Sequence, residues 1–157
     1  MPQIPVVEPA GNESYPGAKS VAKAGTSDTL FFPHVDSCLA IIFVLQDDIV
    51  VGAHVSAFAG EVFQPDGNAR AAVVEMKALA DGKTILEVFT LGDGTYTRSN
   101  FLADVTVKPL IVNADTDGGF DITADPVSRT IAAVSCRTKS KTFAWKFSEL
   151  AKGPKFI

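Results

Sequence analysis

The stretch from Cys38 to Phe58 constrains this chain more than any other. It opens with CLAIIFVL, passes through the polar triplet Gln46-Asp47-Asp48, and returns through IVVGAHVSAF. An apolar run this rich in β-branched and aromatic residues describes a strand covered on both faces. The triplet reads as a turn, so the two runs form a hairpin. Within the return strand, Gly52 marks a bulge or a close approach of another chain segment to the backbone.

The rest of the chain supplies further strands and a single clear helix. Residues 1–28 are rich in Gly, Pro, Ser and Ala with little periodicity, which describes an irregular N-terminal arm laid on the domain rather than a domain of its own. Residues 29–157 form the one domain. Strand-like pieces begin at Thr29 to Phe32, continue through Asp36 to Leu45 and Ile49 to Phe58, and recur at Ile85 to Thr90, Leu110 to Asn113, Arg129 to Arg137 and Thr142 to Phe147. Between them, Asn68 is placed to cap a helix whose stripe is Ala72, Val73, Met76, Leu79 and Ala80, with Gly82 at its C-terminal end. Gly92-Asp93-Gly94 and Asp117-Gly118-Gly119 read as turns, and Tyr96 to Val107 has no clear pattern. Many strands with one helix point to an α+β sandwich of mixed β-sheets with flanking helices, not to a βαβ arrangement.

Composition narrows the class of function. The chain has 157 residues, 46% hydrophobic and 20% charged, enough to bury about two-thirds of the surface of its unfolded form and build a core without staples. A net charge of −4 and a pI near 5.1 argue against nucleic acid or an anionic membrane as partner. The longest apolar stretch, Leu39 to Leu45, is too short to span a bilayer, and the first thirty residues contain no signal-like run, so membrane insertion is not expected and the cytoplasm is. In that compartment Cys38 and Cys136 are thiols, and no CxxC or CxxH pair is present.

The hairpin carries Cys38 at the start of one strand and His54 near the end of the next. A turn centred on Gln46 sets them directly opposite, one centred on Asp47 makes them diagonal neighbours on one face, and a centre midway between puts them on opposite faces. If they meet, imidazole takes the thiol proton and the thiolate attacks an acyl or amide carbon. The turn-like Pro33 to Ser37 segment and the N–H of Cys38 are candidate oxyanion donors. The plainer reading is a small core hydrophobe beside a packed histidine. A metal reading also exists, because His34, Asp36 and Cys38 alternate and would share one face with His54 if that stretch is extended. Against it stand Pro33, which disrupts a strand, and Asp36, an ordinary turn residue. Cys136 alternates with Val134 and Ala132, and Phe143, Trp145 and Phe147 alternate too, so both sets read as packing. No phosphate loop and no G-x-S-x-G elbow occurs.

The segment DSCLAIIFVLQDDIVVGAHVSAF resembles the catalytic region of the chemoreceptor glutamine deamidases, the CheD family, in which Ser-Cys and an apolar strand lead through a polar turn to a strand ending in Ala-His. The helix from Ala69 to Leu79, ILEVFTLGDGTY and DTDGGFDITADPVSRTIAAVSC keep that family's order, so the likeness covers about Thr29 to Arg137. The resemblance implies a CheD-like fold shared with the deamidating toxins of the cytotoxic necrotizing factor type. It implies a protein-glutamine deamidase with Cys38 as nucleophile, His54 as general base and no cofactor. A threonine orients the histidine in that family. Phe32 stands at its expected position, and Thr29 is the nearest threonine to take the role, with His34 or a backbone carbonyl as substitutes. The implied partners are a protein substrate with an exposed glutamine, such as a chemoreceptor, and a chemotaxis phosphatase. Asp36 in place of the family's Gly, the missing Leu-Pro after Ala-His and a shortened second helix mark a divergent member. The rival readings are a CheD-like binding module without activity and a Cys-His zinc-dependent hydrolase.

Overall fold

The computed structural model describes residues 2–9, 17–114, 118–138, 140–150 and 155–157. Along the chain come β1 (Gln3–Pro5), β2 (Val21–Ala24), β3 (Thr29–Val35), β4 (Leu39–Leu45), β5 (Ile49–Val55), the short pair β6 (Phe58–Ala59) and β7 (Val62–Phe63), and helix α1 (Pro65–Ala80). They are followed by β8 (Ile85–Gly92), the one-turn helix α2 (Arg98–Phe101), β9 (Pro109–Asn113), β10 (Phe120–Asp125), β11 (Thr130–Ser135), β12 (Thr142–Lys146) and β13 (Lys155–Phe156).

The expected hairpin is the centre of the architecture. All seven residues of β4 are buried, and the strand lies between β8 and β5 in a six-stranded sheet ordered β13-β9-β8-β4-β5-β2. Successive side chains of a strand point to opposite faces, and both faces here are covered. Ala40, Ile42 and Val44 meet Leu30 and Phe32 of β3, Ile122 of β10 and Ile131 of β11, which belong to a five-stranded sheet ordered β1-β3-β10-β11-β12. Leu39, Ile41, Phe43 and Leu45 meet Ala69, Val73 and Met76 of α1 and Phe101 of α2. The result is an α+β fold in which one sheet packs on a second through one face and on helices through the other. Parallel pairs (β1 with β3, β8 with β9, β13 with β9) stand beside antiparallel ones, so both sheets are mixed. Each fully buried Leu, Ile or Phe of these clusters contributes about 1.5–3 kcal/mol, which is why an uninterrupted apolar run is the strongest signal in the sequence.

The turn settles the parity of the hairpin. Leu45 pairs with Ile49, Ile42 with Gly52 and Ala40 with His54, so the centre is Asp47. Asp47 and Asp48 take φ of 65° and 55°, left-handed values that short polar side chains tolerate. The pairing runs through Gly52 without a bulge. Of the two roles open to this glycine, the close approach holds: a Cβ there would overlap Cζ of Phe32 and lie 3.0 Å from Cδ1 of Leu30.

Other expectations need correcting. The described parts of the arm are not irregular, because β1 adds to β3 at the edge of one sheet and β2 adds to β5 at the edge of the other. Helix α1 begins at Pro65, whose missing N–H costs nothing at a first helical position, and Asn68 does not cap it. Asn68 Nδ2 donates instead to Ser56 O at 2.9 Å. At the other end Asp81 adopts the left-handed conformation and its N–H reaches Ala78 O, with Gly82 following at φ 77°. Residues 36–38 form a bend rather than the start of β4, and β8 runs on to Gly92. In the segment without a clear pattern, α2 holds four residues. Asp117 lies outside the described residues, while Gly118 and Gly119 both take positive φ as a tight turn requires.

Candidate functional site

Cys38 is delivered by two irregularities in succession. The register of β3 against β10 shifts between Phe120 and Ile122, opposite Pro33 and His34, a place where a strand tolerates proline. His34 turns to φ 52° there, and its N–H donates to Asp121 Oδ1 at 2.8 Å. Ser37 follows at φ 55°, turning the chain so that Cys38 enters β4 facing between the two sheets with Ala40 and Ile42. Extending the hairpin register by one pair places Cys38 diagonal to His54 on that face, a relation that sets such positions about 7–8 Å apart. Of the three geometries the sequence left open, the diagonal one is realised.

The N-terminal arm completes the site. His54 is 3% exposed, its backbone N–H donates to Ser20 O at 2.9 Å, and its Nδ1 lies 3.0 Å from Val6 O. A carbonyl only accepts, so Nδ1 carries the hydrogen and Nε2 the lone pair. Nε2 is buried and has no hydrogen-bond partner among the described residues. The thiol of Cys38, itself 5% exposed, donates to Glu8 Oε2 at 3.2 Å, and that is its hydrogen bond, not one to His54. Burial above all lifts the thiol well beyond its ordinary range, and the bond to Glu8 and the negative charges of Glu8, Asp36 and Asp93 push the same way. Burial holds His54 below its usual value, against the opposing pull of Val6 O and Glu8. The resting pair is therefore a thiol and a neutral imidazole.

Two further residues frame the site, and sequence reasoning missed both. Tyr96 Oη lies 3.3 Å from Ser37 O and 3.1 Å from Val55 O, bridging the bend before Cys38 to the end of β5. Burial raises its phenol, with Cys38 and Asp93 adding to the effect. Arg98, 6% exposed, donates to Gly92 O at 3.1 Å, Asp93 O at 2.8 Å, Tyr96 O at 3.1 Å and Val112 O at 3.4 Å, and to Thr90 Oγ1 at 3.3 Å. Burial lowers its pKa, countered by Asp93 and Tyr96, and guanidinium stays charged nonetheless. One cation thus ties the loop after β8 to β9 and holds Tyr96 in place. Gly92 packs there, where a Cβ would meet Cys38 O at 3.1 Å. The only trace of this network in the sequence is an arginine inside an otherwise unpatterned segment.

The structure distributes the remaining candidates elsewhere. Thr29 opens β3, pairs with Gln3 and donates its N–H to Pro2 O, while the ring of His54 is held by Val6 O. The group bonded to the His54 ring is a backbone carbonyl of the arm and not Thr29, because parallel pairing of β1 along β3 carries the chain past Thr29 to set Val6 beside His54. Phe32 lies fully buried against Gly52. His34 is exposed and pairs with Asp36 at 3.7 Å, since its left-handed backbone breaks the alternation that would align it with Cys38. Among the described residues no group of three or more His, Cys, Asp and Glu side chains is placed to hold a metal ion. Cys136 donates to Asp121 Oδ1 at 3.3 Å beside β10, away from His54.

A cavity of about 480 Å³ adjoins the histidine, lined by Pro9, Ser20, His54, Ser56, Phe58 and Ala72 among others. At its rim the β6–β7 hairpin exposes Phe58, Val62 and Phe63. No helix among the described residues is long and apolar enough to cross a membrane. No family model matches the chain, and no curated protein matches it either, so what the chain does is to be read from this pair of side chains and their surroundings.

Proposed function

We propose that the protein is a protein-glutamine deamidase in which Cys38 is the nucleophile and His54 the general base. One observation carries this reading. Nδ1 of His54 is tied to Val6 O, which leaves a lone pair on a buried Nε2, unbonded among the described residues, on the same sheet face as Cys38. That is the state a general base needs before it takes a proton. Nε2 accepts the proton of Sγ as Sγ bonds to the side-chain carboxamide carbon of a substrate glutamine. The tetrahedral adduct collapses, the C–N bond breaks, and ammonia leaves with the proton held by His54. Water, deprotonated by the same Nε2, then cleaves the thioester to yield glutamate and restore the thiol. A protein with an exposed glutamine, a chemoreceptor by resemblance, is the substrate class.

The test is peptide mass spectrometry of a cell extract incubated with wild type or Cys38→Ser. Gln-to-Glu conversions confined to the wild-type sample are expected. Equal levels in both samples would overturn the reading. One observation favours a second reading, a binding module without activity: Glu8 holds the resting thiol in its protonated form. In that case Cys38→Ser leaves partner binding intact and wild type converts nothing.

A further inference from the structure

We propose that Glu8 is a brake on this site, carried by the N-terminal arm: its carboxylate holds Cys38 as a hydrogen-bonded thiol, and Glu8 must swing clear before Sγ attacks. The inference rests on the deamidase reading and adds its regulation. The arm makes two contacts with the pair, and they act in opposite senses. Val6 O fixes His54 as a base, while the Glu8 carboxylate, two residues on, restrains the nucleophile.

The two contacts also differ in how firmly they are held. Val6 is fully buried, its N–H donates to Phe31 O at 2.8 Å, and it bridges to Lys19. Val7 N–H donates to Lys19 O at 3.0 Å. These ties seat residues 6 and 7 against β3 and the segment before β2. Glu8 is half-buried, and rotation about its own side-chain bonds moves the carboxylate off Sγ while Val6 stays seated. The groups acting on the thiol share its sign: Asp36 and Asp93 stand with Glu8, Tyr96 adjoins, and Arg98 is spent on backbone carbonyls. Among the described residues no cation acts on the thiol, so withdrawal of the Glu8 charge is the way to favour a thiolate. Pro9, the next residue, lines the cavity beside His54, which gives a bound substrate a route to displace the brake.

The experiment is alkylation of the full-length chain by iodoacetamide, with Cys38 and Cys136 followed separately by peptide mass, in wild type, Glu8→Gln and Glu8→Ala. Removing a like charge at hydrogen-bond distance lowers a pKa by about two units, a hundredfold gain in thiolate. A thiolate of lower basicity is about tenfold less reactive, so Cys38 is expected to react about tenfold faster with Cys136 unchanged. An unchanged or slower Cys38 in both variants overturns the brake. So does equal acceleration of both cysteines, which marks a loosened fold. The outcome is separable from that of the deamidase reading. Faster alkylation without any Gln-to-Glu conversion keeps the brake on the thiol and removes the deamidase. Conversion by wild type with alkylation indifferent to Glu8 does the reverse.

Discussion

The two ends of the β4–β5 hairpin are made from the same pair of strands and handle charge in opposite ways. At the turn, Asp47 pairs with Lys83 and Asp48 with Arg129, and all four side chains reach solvent. At the open end Cys38, His54, Tyr96 and Arg98 are almost fully buried, each bonded to a carbonyl or carboxylate. Exposed pairs are screened and contribute little, whereas buried polar groups must be satisfied because water cannot replace a lost partner. The turn end fixes register and tolerates change. The open end concentrates desolvated, oriented groups, the condition under which pKa values depart from ordinary ones and chemistry becomes accessible.

Substitutions along the hairpin test this contrast. The largest effect belongs to Arg98→Met, which leaves the carbonyls of Asp93 and Tyr96 without their guanidinium donor and is expected to cost about 3 kcal/mol in urea unfolding. Midway along, Gly52→Ala drives a methyl into the Phe32 ring and should cost about 2 kcal/mol, with Phe32→Leu in the same chain recovering part of the loss. Tyr96→Phe removes the bridge between Ser37 and Val55 at about 1 kcal/mol, and should slow Cys38 alkylation or Gln conversion more than that loss of stability explains. At the turn, Asp48→Asn should shift stability by less than about 0.5 kcal/mol, and that difference should shrink further in salt. A turn variant as costly as Arg98→Met would break the comparison.

The buried histidine adds a pH signature to the open end. Its folded pKa lies below the unfolded value of 6.5, so the unfolded chain binds the extra proton first. Stability from this group is complete above pH 6.5 and falls as pH drops below it toward the folded value. Thermal midpoints measured from pH 7.5 downward should decline through that window, and His54→Gln should flatten the decline. His34, the other histidine, is exposed and supplies no comparable burial.

What the sequence revealed follows from the range of the forces involved. CLAIIFVL and IVVGAHV declare a doubly covered hairpin because burial of consecutive residues is a local property, and Cys38 and His54 stand out within it because the turn between them is short. The α1 stripe was legible for the same reason, through its 3.6-residue period. Val6 and Glu8 were not, since each reaches the site through a parallel pairing of β1 with β3 that no local pattern encodes. Arg98 lies in a segment organised by side chain-to-backbone hydrogen bonds rather than by apolar periodicity, and Thr29 rests on the family resemblance rather than on any pattern around it. His34 and Asp36 alternate with Cys38 on paper, but the bulge at Pro33 and the positive φ of His34 and Ser37 scatter them.

The most direct test of the central claim, that His54 serves Cys38 as a base, needs no knowledge of the substrate. It is the pH dependence of Cys38 alkylation in the Glu8→Gln chain with His54 present and with His54→Gln, using Cys136 as internal reference. The account predicts that loss of His54 slows Cys38 about tenfold or more around neutral pH and leaves Cys136 unchanged. A Cys38 profile that is the same with and without His54 would contradict it.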